Sequence, residues 1–335
     1  MIYSLWEASP SAGIYSNVCV SFAIGAAVRT MPILFMKRKN LYTTSTKLKD
    51  RLRETFWIWT NFRGIPFSNR DTVRSITGDD IWSRIRFADQ TLTLSFHIWG
   101  MDYIVNAWVR IFIRWLKYTI SDFAPAKQSL LPSLNRHELF IRTIVSFHWI
   151  WTTYANITLA HGLLSILFVV ILKWDLESEW PCLFGSLSEA YTLRRFWGVF
   201  WHRLHVAPFE AYMPSYLSRK EEEEHWWRHW ARNSLRSLWI FFFSAGCHTI
   251  VQLVVMQRNT MVQEFRFFLS NYAACSIETV VWSVVQRKRV QYVGPRIWMR
   301  LLGYVWVFGF FFCTVPAWKY PLIYDTRKVY LTGDM

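Results

Sequence analysis

Apolar runs alternate with basic, polar segments along most of the chain. Six of these runs are long enough, or nearly so, to cross a hydrocarbon core about 30 Å thick. They are residues 14–36, 139–155, 157–172, 237–256, 265–285 and 297–316. The pattern therefore predicts an all-α fold, namely a polytopic integral membrane helix bundle of about six spans with amphipathic helices at its surface.

Two stretches leave the predicted topology open. Residues 91–116 are apolar and aromatic but carry Asp102, Arg110 and Arg114, so they could cross the bilayer or lie in its surface as an amphipathic helix. We predict the surface position. Asn156-Ile157-Thr158 matches a glycosylation acceptor. We interpret it instead as a tight turn between two spans, because it lies at membrane depth.

Basic segments indicate which loops share a side of the membrane. With six spans, residues 37–138, 174–235 and 286–296 all lie on the cytosolic face, as the positive-inside rule requires. Counting residues 91–116 as a seventh span would place the first two of these loops on opposite sides.

No internal repeat or low-complexity linker divides the chain, so we expect one membrane domain over residues 1–335. The N-terminus lacks the basic start of a cleaved signal peptide, and we expect the first run to be retained. The predicted parts are a first span, 14–36, a basic cytosolic and interfacial region, 37–138, and a core, 139–317, that contains a motif loop, 174–235.

Composition narrows the class of partner. Of the 335 residues, 53% are hydrophobic and 19% aromatic, and the net charge is +15. Clustered basic residues could bind nucleic acid. Here they flank apolar spans, which is the placement expected beside anionic lipid, so we expect membrane lipids and no nucleic acid as partners. The five cysteines form no C-x-x-C pair, so neither a disulfide framework nor a zinc site is predicted.

The nine histidines remain as candidates for chemistry, because the chain has no nucleotide-binding glycine motif, no H-E-x-x-H and no G-x-S-x-G. His202 with His205, and His225 with His229, have spacings that resemble two histidine boxes of membrane di-iron enzymes. A third box is missing. We expect no metal and no bound cofactor, and we keep a di-iron hydroxylase as an alternative from another class.

His248 lies within an apolar run, where an ionisable side chain is costly and is a functional candidate. Ser244 lies one helical turn before it, and Gly246 removes a side chain nearby. In apolar surroundings the uncharged imidazole is favoured, and it can accept a proton from an alcohol. A neutral imidazole bonded to a neighbouring helix is the structural alternative.

Three short motifs surround these histidines in a fixed order. They are Pro181-x-Leu183-Phe184-Gly185-Ser186-Leu187, then Phe196-Trp197-Gly198-x-x-Trp201-His202, and then Phe241-x-x-Ser244-x-Gly246-x-His248. Upstream, Arg63-Gly64-Ile65 looks like the R-G-I-G-W segment of fungal proteins with this pattern. Together the motifs resemble the wax-synthase-like branch of the membrane-bound O-acyltransferase family, over roughly residues 60–317.

This resemblance implies a many-helix membrane enzyme that moves an acyl group from coenzyme A to a hydroxyl. His248 would be the catalytic histidine and general base, and His202 would be the polar residue of the Trp-His motif, facing the same chamber. Substrate-binding roles are assigned to Arg194, Arg195, Trp197, Trp201, Arg203 and Ser244. The arginines suit the phosphates of coenzyme A, although each could equally anchor a helix at the headgroups.

Fungal members of this branch often acetylate terpenoid or meroterpenoid alcohols. We therefore expect an O-acetyltransferase of secondary metabolism that uses acetyl-CoA as co-substrate, acts on a hydroxylated lipophilic small molecule and lies in the endoplasmic reticulum membrane. A long-chain wax-ester synthase is the alternative within the family. A non-enzymatic transporter is the alternative outside it, and it would depend on an intramembrane charge such as Glu278.

Overall fold

The computed structural model describes residues 20, 23–28, 48, 51–52, 55, 81–131, 133, 135–218, 226–287 and 296–332. Regular structure in these ranges is helical. From residue 81 the helices are α1 (Ile81–Leu116), α2 (Arg136–Ser165), α3 (Leu193–Arg195), α4 (Val206–Ala211), α5 (Ser215–Ser218), α6 (Trp226–Met256), α7 (Met261–Arg287) and α8 (Arg296–Thr332). The all-α prediction is confirmed for this part of the chain.

Helices α1 and α2 form an antiparallel pair along their whole length. Contacts occur at four levels, which join Arg84 to the Val169 carbonyl, Ser95 to Gly162, Asp102 to Trp151, and Asn106 to His148. The last two levels join polar side chains: the Trp151 indole N–H donates to Asp102 over 3.0 Å, and His148 lies 2.9 Å from the Asn106 side-chain oxygen. These bonds satisfy polar groups that would otherwise be buried without partners.

The predicted turn at Asn156-Ile157-Thr158 is wrong. Helix α2 runs through these residues and continues as a π-helix, Ile166–Ile171, so that Arg136–Ile171 is one apolar segment of 36 residues. The Thr158 hydroxyl donates to the Tyr154 carbonyl over 2.7 Å within the helix. Because its hydroxyl is satisfied inside the helix, threonine gives no signal to end it here.

The predicted surface position of residues 91–116 is also not supported. An interfacial helix lies in the membrane plane, whereas α1 contacts α2 from Arg84 to Asn106 and so runs parallel to the axis of an apolar segment long enough to span. The charged group that argued against a span, Asp102, is bonded to Trp151 inside the pair. Helix α1 therefore lies alongside α2 over the same depth of the bundle.

Three of the described helices are long and apolar enough to cross a membrane, namely Arg136–Ile171, Trp230–Met256 and Ile297–Thr326. The prediction of about six spans is not confirmed, since two predicted spans are one helix. Helix α7, which contains the predicted span 265–285, is less apolar but packs antiparallel to α6 across the turn at 257–260. Most of the predicted first span, 14–36, lies outside the described residues.

The five long helices alternate in direction and so define two faces of the bundle. At one face α2 ends and α6 and α8 begin. The basic motif loop starts there, so we call it the basic face. At the opposite face, Arg258 of the α6–α7 turn pairs with Asp325 near the end of α8 over 3.5 Å. The Phe123 ring packs on Tyr320 at this same face, with ring centroids 5.0 Å apart.

The motif loop ends at residue 225, because α6 already begins at Trp226. It is not a polar loop outside the bundle: Leu193, Phe196, Phe200 and Trp201 are all buried in the core. Gly185 allows this path, since a Cβ there would collide with the Val199 carbonyl oxygen. The loop therefore enters the bundle and fills its centre with aromatic side chains.

Candidate active site

Three histidines come together where the motif loop meets α6. The rings of His202 and His205 lie 6.2 Å apart between their centroids. His248 of α6 interacts electrostatically with both of them. The pair of Glu210 with Arg236 marks where the loop leaves the bundle. Since a helix rises about 1.5 Å per residue, His248 lies roughly 18 Å further along α6 than Arg236, deep between the helices.

Local hydrogen bonds at the basic face position the Trp201-His202 segment. The Glu278 carboxylate of α7 accepts the backbone N–H groups of Leu193 and Arg194 over 2.8 and 3.0 Å. These are amides of the first turn of α3, which have no partner within the helix. The π-helix Phe196–Phe200 follows, and the backbone then becomes extended at Trp201. The chain thus turns into the bundle just before His202.

His248 is the accessible member of the cluster. Its ring lies 5.0 Å from that of Phe268 on α7 and 6.4 Å from that of Trp318 on α8, yet the side chain is exposed. A side chain that is deep among helices and also accessible lines an open chamber. Ser244 is half-buried on the same face of α6, one turn away.

Gly246 does not have the position expected for it. Gly246 lies two positions before His248, which is about 200° around the helix. No heavy atom from outside its own turn lies within 4 Å of where its Cβ would be. The glycine therefore opens space on the side of α6 that faces away from His248.

His202 is held in the uncharged form. Burial, together with the neighbouring His205 and His248, lowers the pKa of His202 to about 3. Burial likewise lowers the pKa of His205 to about 4. Within the described residues, the buried Nδ1 of His202 has no hydrogen-bond partner. At neutral pH this side chain therefore offers one N–H donor and one acceptor, without a positive charge.

The two motif tryptophans, Trp197 and Trp201, are packed against other side chains. Trp201 is 5% exposed, and its ring stacks on Phe196 with centroids 5.1 Å apart and contacts Trp149 at 5.6 Å. The Trp197 indole N–H donates to the Asn271 side-chain oxygen over 2.8 Å. Such contacts make both tryptophans part of the wall that holds His202, and a substrate would meet their edges only.

The three arginines assigned to coenzyme A differ in how freely they can bind it. Arg195 is engaged, because it pairs with Glu189 and stacks over the Tyr191 ring at 4.9 Å. The exposed Arg194 makes one long side-chain bond of 3.3 Å to Thr279. Arg203 is exposed, and the residues described here give it no ion pair. Arg194 and Arg203 thus remain available for a polyanion.

Sequence reasoning missed Lys319 and its surroundings. Its charge acts on His248, and its ammonium lies 3.5 Å from the centroid of the Trp318 ring. The signal was available, since a lysine within the apolar span Ile297–Thr326 is as unusual as a histidine. It was overlooked because the predicted span ended at residue 316.

Two alternatives from other classes rest on other residues. In the described part of the chain, no group of three histidine, cysteine or acidic side chains could hold a metal ion. His225 and the side chain of His229 lie outside the described residues. Glu278 accepts bonds from the loop backbone and from the Trp306 indole N–H at 2.7 Å. Glu278 is thus bonded to the loop and to α8 within the bundle.

Comparison with known proteins agrees with the motifs. Residues 180–270 match the family described as the membrane bound O-acyl transferase family. The chain is 29% identical to acetyltransferase spyB of Aspergillus fumigatus, over 58% of this chain and 35% of that protein. It is 27% identical to acetyltransferase aurG of Calcarisporium arbuscula, over 59% of this chain and 48% of that protein.

Acetyltransferase TRI7 of Fusarium sporotrichioides is 28% identical over 54% of this chain and 42% of its own length. The aligned part thus spans half or less of these curated relatives, at 35–48% of their length. No solved structure matches the chain. The predicted resemblance is confirmed: the chain is similar to the membrane-bound O-acyltransferase family over residues 180–270 and to fungal acetyltransferases over more than half of its length.

Proposed function

We propose that the chain is an O-acyltransferase that moves the acetyl group of acetyl-CoA to a hydroxyl of a terpenoid or meroterpenoid secondary metabolite. The observation that carries this proposal is the accessible imidazole of His248, deep in an apolar bundle beside the neutral His202. The acetyltransferase relatives support the acyl group. The endoplasmic reticulum is the proposed membrane.

The proposed chemistry needs no covalent enzyme intermediate. His248 takes the proton from the acceptor hydroxyl while the oxygen attacks the thioester carbonyl carbon. The resulting tetrahedral intermediate collapses, the carbon–sulfur bond breaks, and the coenzyme A thiolate takes the proton back from His248. The products are the acetate ester and free coenzyme A, so atoms and charge balance.

His202 supports this step by donating a hydrogen bond to the developing oxyanion. Its uncharged state suits this role, because the low pKa of the group means that no positive charge has to be buried beside the substrate. Arg194 and Arg203 would bind the coenzyme A phosphates at the basic face. The thioester would then enter the chamber from the side of the motif loop.

Acyl transfer by membranes containing the chain tests this proposal. Radiolabelled acetyl-CoA and palmitoyl-CoA are supplied separately with a panel of terpenoid alcohols and long-chain fatty alcohols. We expect label in terpenoid acetates and little transfer from palmitoyl-CoA. Preferred transfer of palmitate to fatty alcohols would instead identify a wax-ester synthase. Transfer equal to that of membranes without the chain, from both donors, would contradict an acyltransferase function.

A further inference from the structure

A second cavity lies at the opposite face of the bundle, with a volume of about 210 Å³. Its walls are the α6–α7 turn, the start of α7 and the last third of α8, and they include Thr260, Glu264, Trp318 and Lys319. Whole ligand sites usually measure about 300–1,000 Å³. The cavity is therefore the size of a subsite, able to hold one end of a larger molecule.

Two buried polar atoms in this wall have no partner among the described residues. Glu264 is 2% exposed and its Oε2 is unbonded, and Thr260 is 8% exposed and its Oγ1 is unbonded. A buried polar atom without a partner costs roughly 1–3 kcal/mol. Since both residues line the cavity, a ligand with a hydroxyl or carbonyl there would satisfy them. A hydroxyl could donate to Glu264, and the Thr260 hydroxyl could donate to a carbonyl.

The charges in the wall favour an uncharged ligand. Arg258 and Lys319 are balanced by Glu264 and Asp325, so the lining has no net charge. Polyanionic coenzyme A would find no excess of positive charge here, whereas the free arginines of the basic face provide one. The two ends of the bundle thus differ in the chemistry that they can recognise.

Trp318 connects this cavity to the proposed reaction centre. Its side chain lines the cavity, and its ring lies 6.4 Å from the ring of His248. Lys319 lies in the same wall, and its charge acts on His248. Pro316 and Pro321 flank this pair of residues within α8. Each proline leaves a helix carbonyl without its usual donor, so the helix is locally irregular where it faces both sites.

From this arrangement we infer that the cavity binds the end of the acceptor alcohol that is not acetylated, and that it selects acceptors carrying a second hydroxyl or a carbonyl. The acceptor would enter from the opposite face and reach past Trp318, so that its reacting hydroxyl meets His248. This inference rests on the proposed function and adds the class of acceptor to it.

Matched alcohols test the inference. A bicyclic sesquiterpene diol and the mono-ol that lacks its second hydroxyl are compared for binding, measured as a ligand-induced rise in melting temperature, and for acetylation by the purified full-length chain. The variants are Thr260→Val, which removes a hydroxyl, and Glu264→Gln, which replaces an acceptor oxygen of the carboxylate by a donor NH2 group, both at nearly constant size. Thr152→Val is the control, because its hydroxyl is bonded to the His148 carbonyl inside α2.

We expect the wild type and Thr152→Val to prefer the diol by about tenfold in KM, and Thr260→Val and Glu264→Gln to lose that preference with little change in kcat. Equal preference in all four proteins, or no binding of the diol by the wild type, would overturn the inference. If the diol binds selectively but no alcohol is acetylated, the proposed function fails and the cavity assignment stands. If acetylation is normal but the diol is not preferred, the proposed function stands and the cavity assignment fails.

Discussion

The histidines of the site differ in what each can do, although they are neighbours. His248 is accessible in a chamber bounded by Phe268 and Trp318, so it can meet a reactant. His202 is fixed between the rings of Phe184 and Trp201, and a buried nitrogen of its ring is unbonded. Because His248 is accessible, we assign the proton transfer to it. Because His202 is confined, we assign to it the positioning of the reactant.

The low pKa of His202 predicts a loss of stability in mild acid. Below pH 6.5 the unfolded chain protonates this histidine while the folded chain does not, until the pH approaches about 3. Stability is therefore lost as the pH falls below 6.5, by about 1.4 kcal/mol per pH unit from this group. Thermal unfolding of detergent-purified wild type and His202→Gln at pH 7.5, 6.5 and 5.5 measures it.

The wild type should lose more stability than His202→Gln between pH 6.5 and 5.5, because glutamine does not titrate. An identical pH dependence of the two proteins would show that His202 titrates normally in the folded chain.

Among the elements, the α1–α2 pair departs most from the sequence prediction, and it can be tested by cross-linking. A Cβ at Gly162 would lie 2.7 Å from the Ser95 hydroxyl oxygen. Cysteines at 95 and 162, in a background without other cysteines, should therefore form a disulfide with a mild oxidant. Thiols that are protected from alkylation by the disulfide are counted by mass spectrometry.

Phe96 provides the matched control, because it is the next residue along α1 and is 68% exposed. The pair Phe96→Cys with Gly162→Cys should not cross-link, since one helical residue turns the side chain by about 100°. A surface position of α1 would leave both pairs reduced.

At the scale of the whole molecule, two errors in the predicted topology compensate. The sequence assigned two spans to residues 139–172 and none to 91–116, whereas the structure has one helix in each place. Two helices therefore precede the motif loop from residue 81 onward, where two spans were predicted. The start of α1 and the start of the motif loop lie at the same face of the bundle, as the positive-inside rule requires for basic segments.

This topology predicts opposite labelling of two exposed leucines. Leu131, between α1 and α2, is 79% exposed, and Leu187, in the motif loop, is 64% exposed. In sealed microsomes, a membrane-impermeant maleimide should label Leu187→Cys and reach Leu131→Cys only after permeabilisation. Both variants are made in a background without other cysteines. Labelling of both in sealed vesicles would contradict a crossing by the helix Arg136–Ile171 between the two positions.

Local patterns predicted the helical class and indicated His202 and His248 as candidates, because an apolar run and a short aromatic motif are properties of neighbouring residues. Three features depended on distant partners and could not be read in this way. Asp102 looked like a surface residue until Trp151 was placed beside it. The partner of Glu278, the Leu193 amide, lies 85 residues away along the chain. The role of Lys319 depends on its electrostatic interactions with Glu264 and His248, which are distant in the sequence.

Acetyl transfer by His248→Ala is the most direct test of the central claim, that an accessible imidazole at this point of the bundle is the general base. The variant is compared with the wild type and with Cys247→Ala, which changes the adjacent, half-buried residue of α6. At equal protein abundance we expect His248→Ala to lose about 10²- to 10⁴-fold in rate and Cys247→Ala to remain near wild type. Transfer by His248→Ala at the wild-type rate would contradict the mechanism.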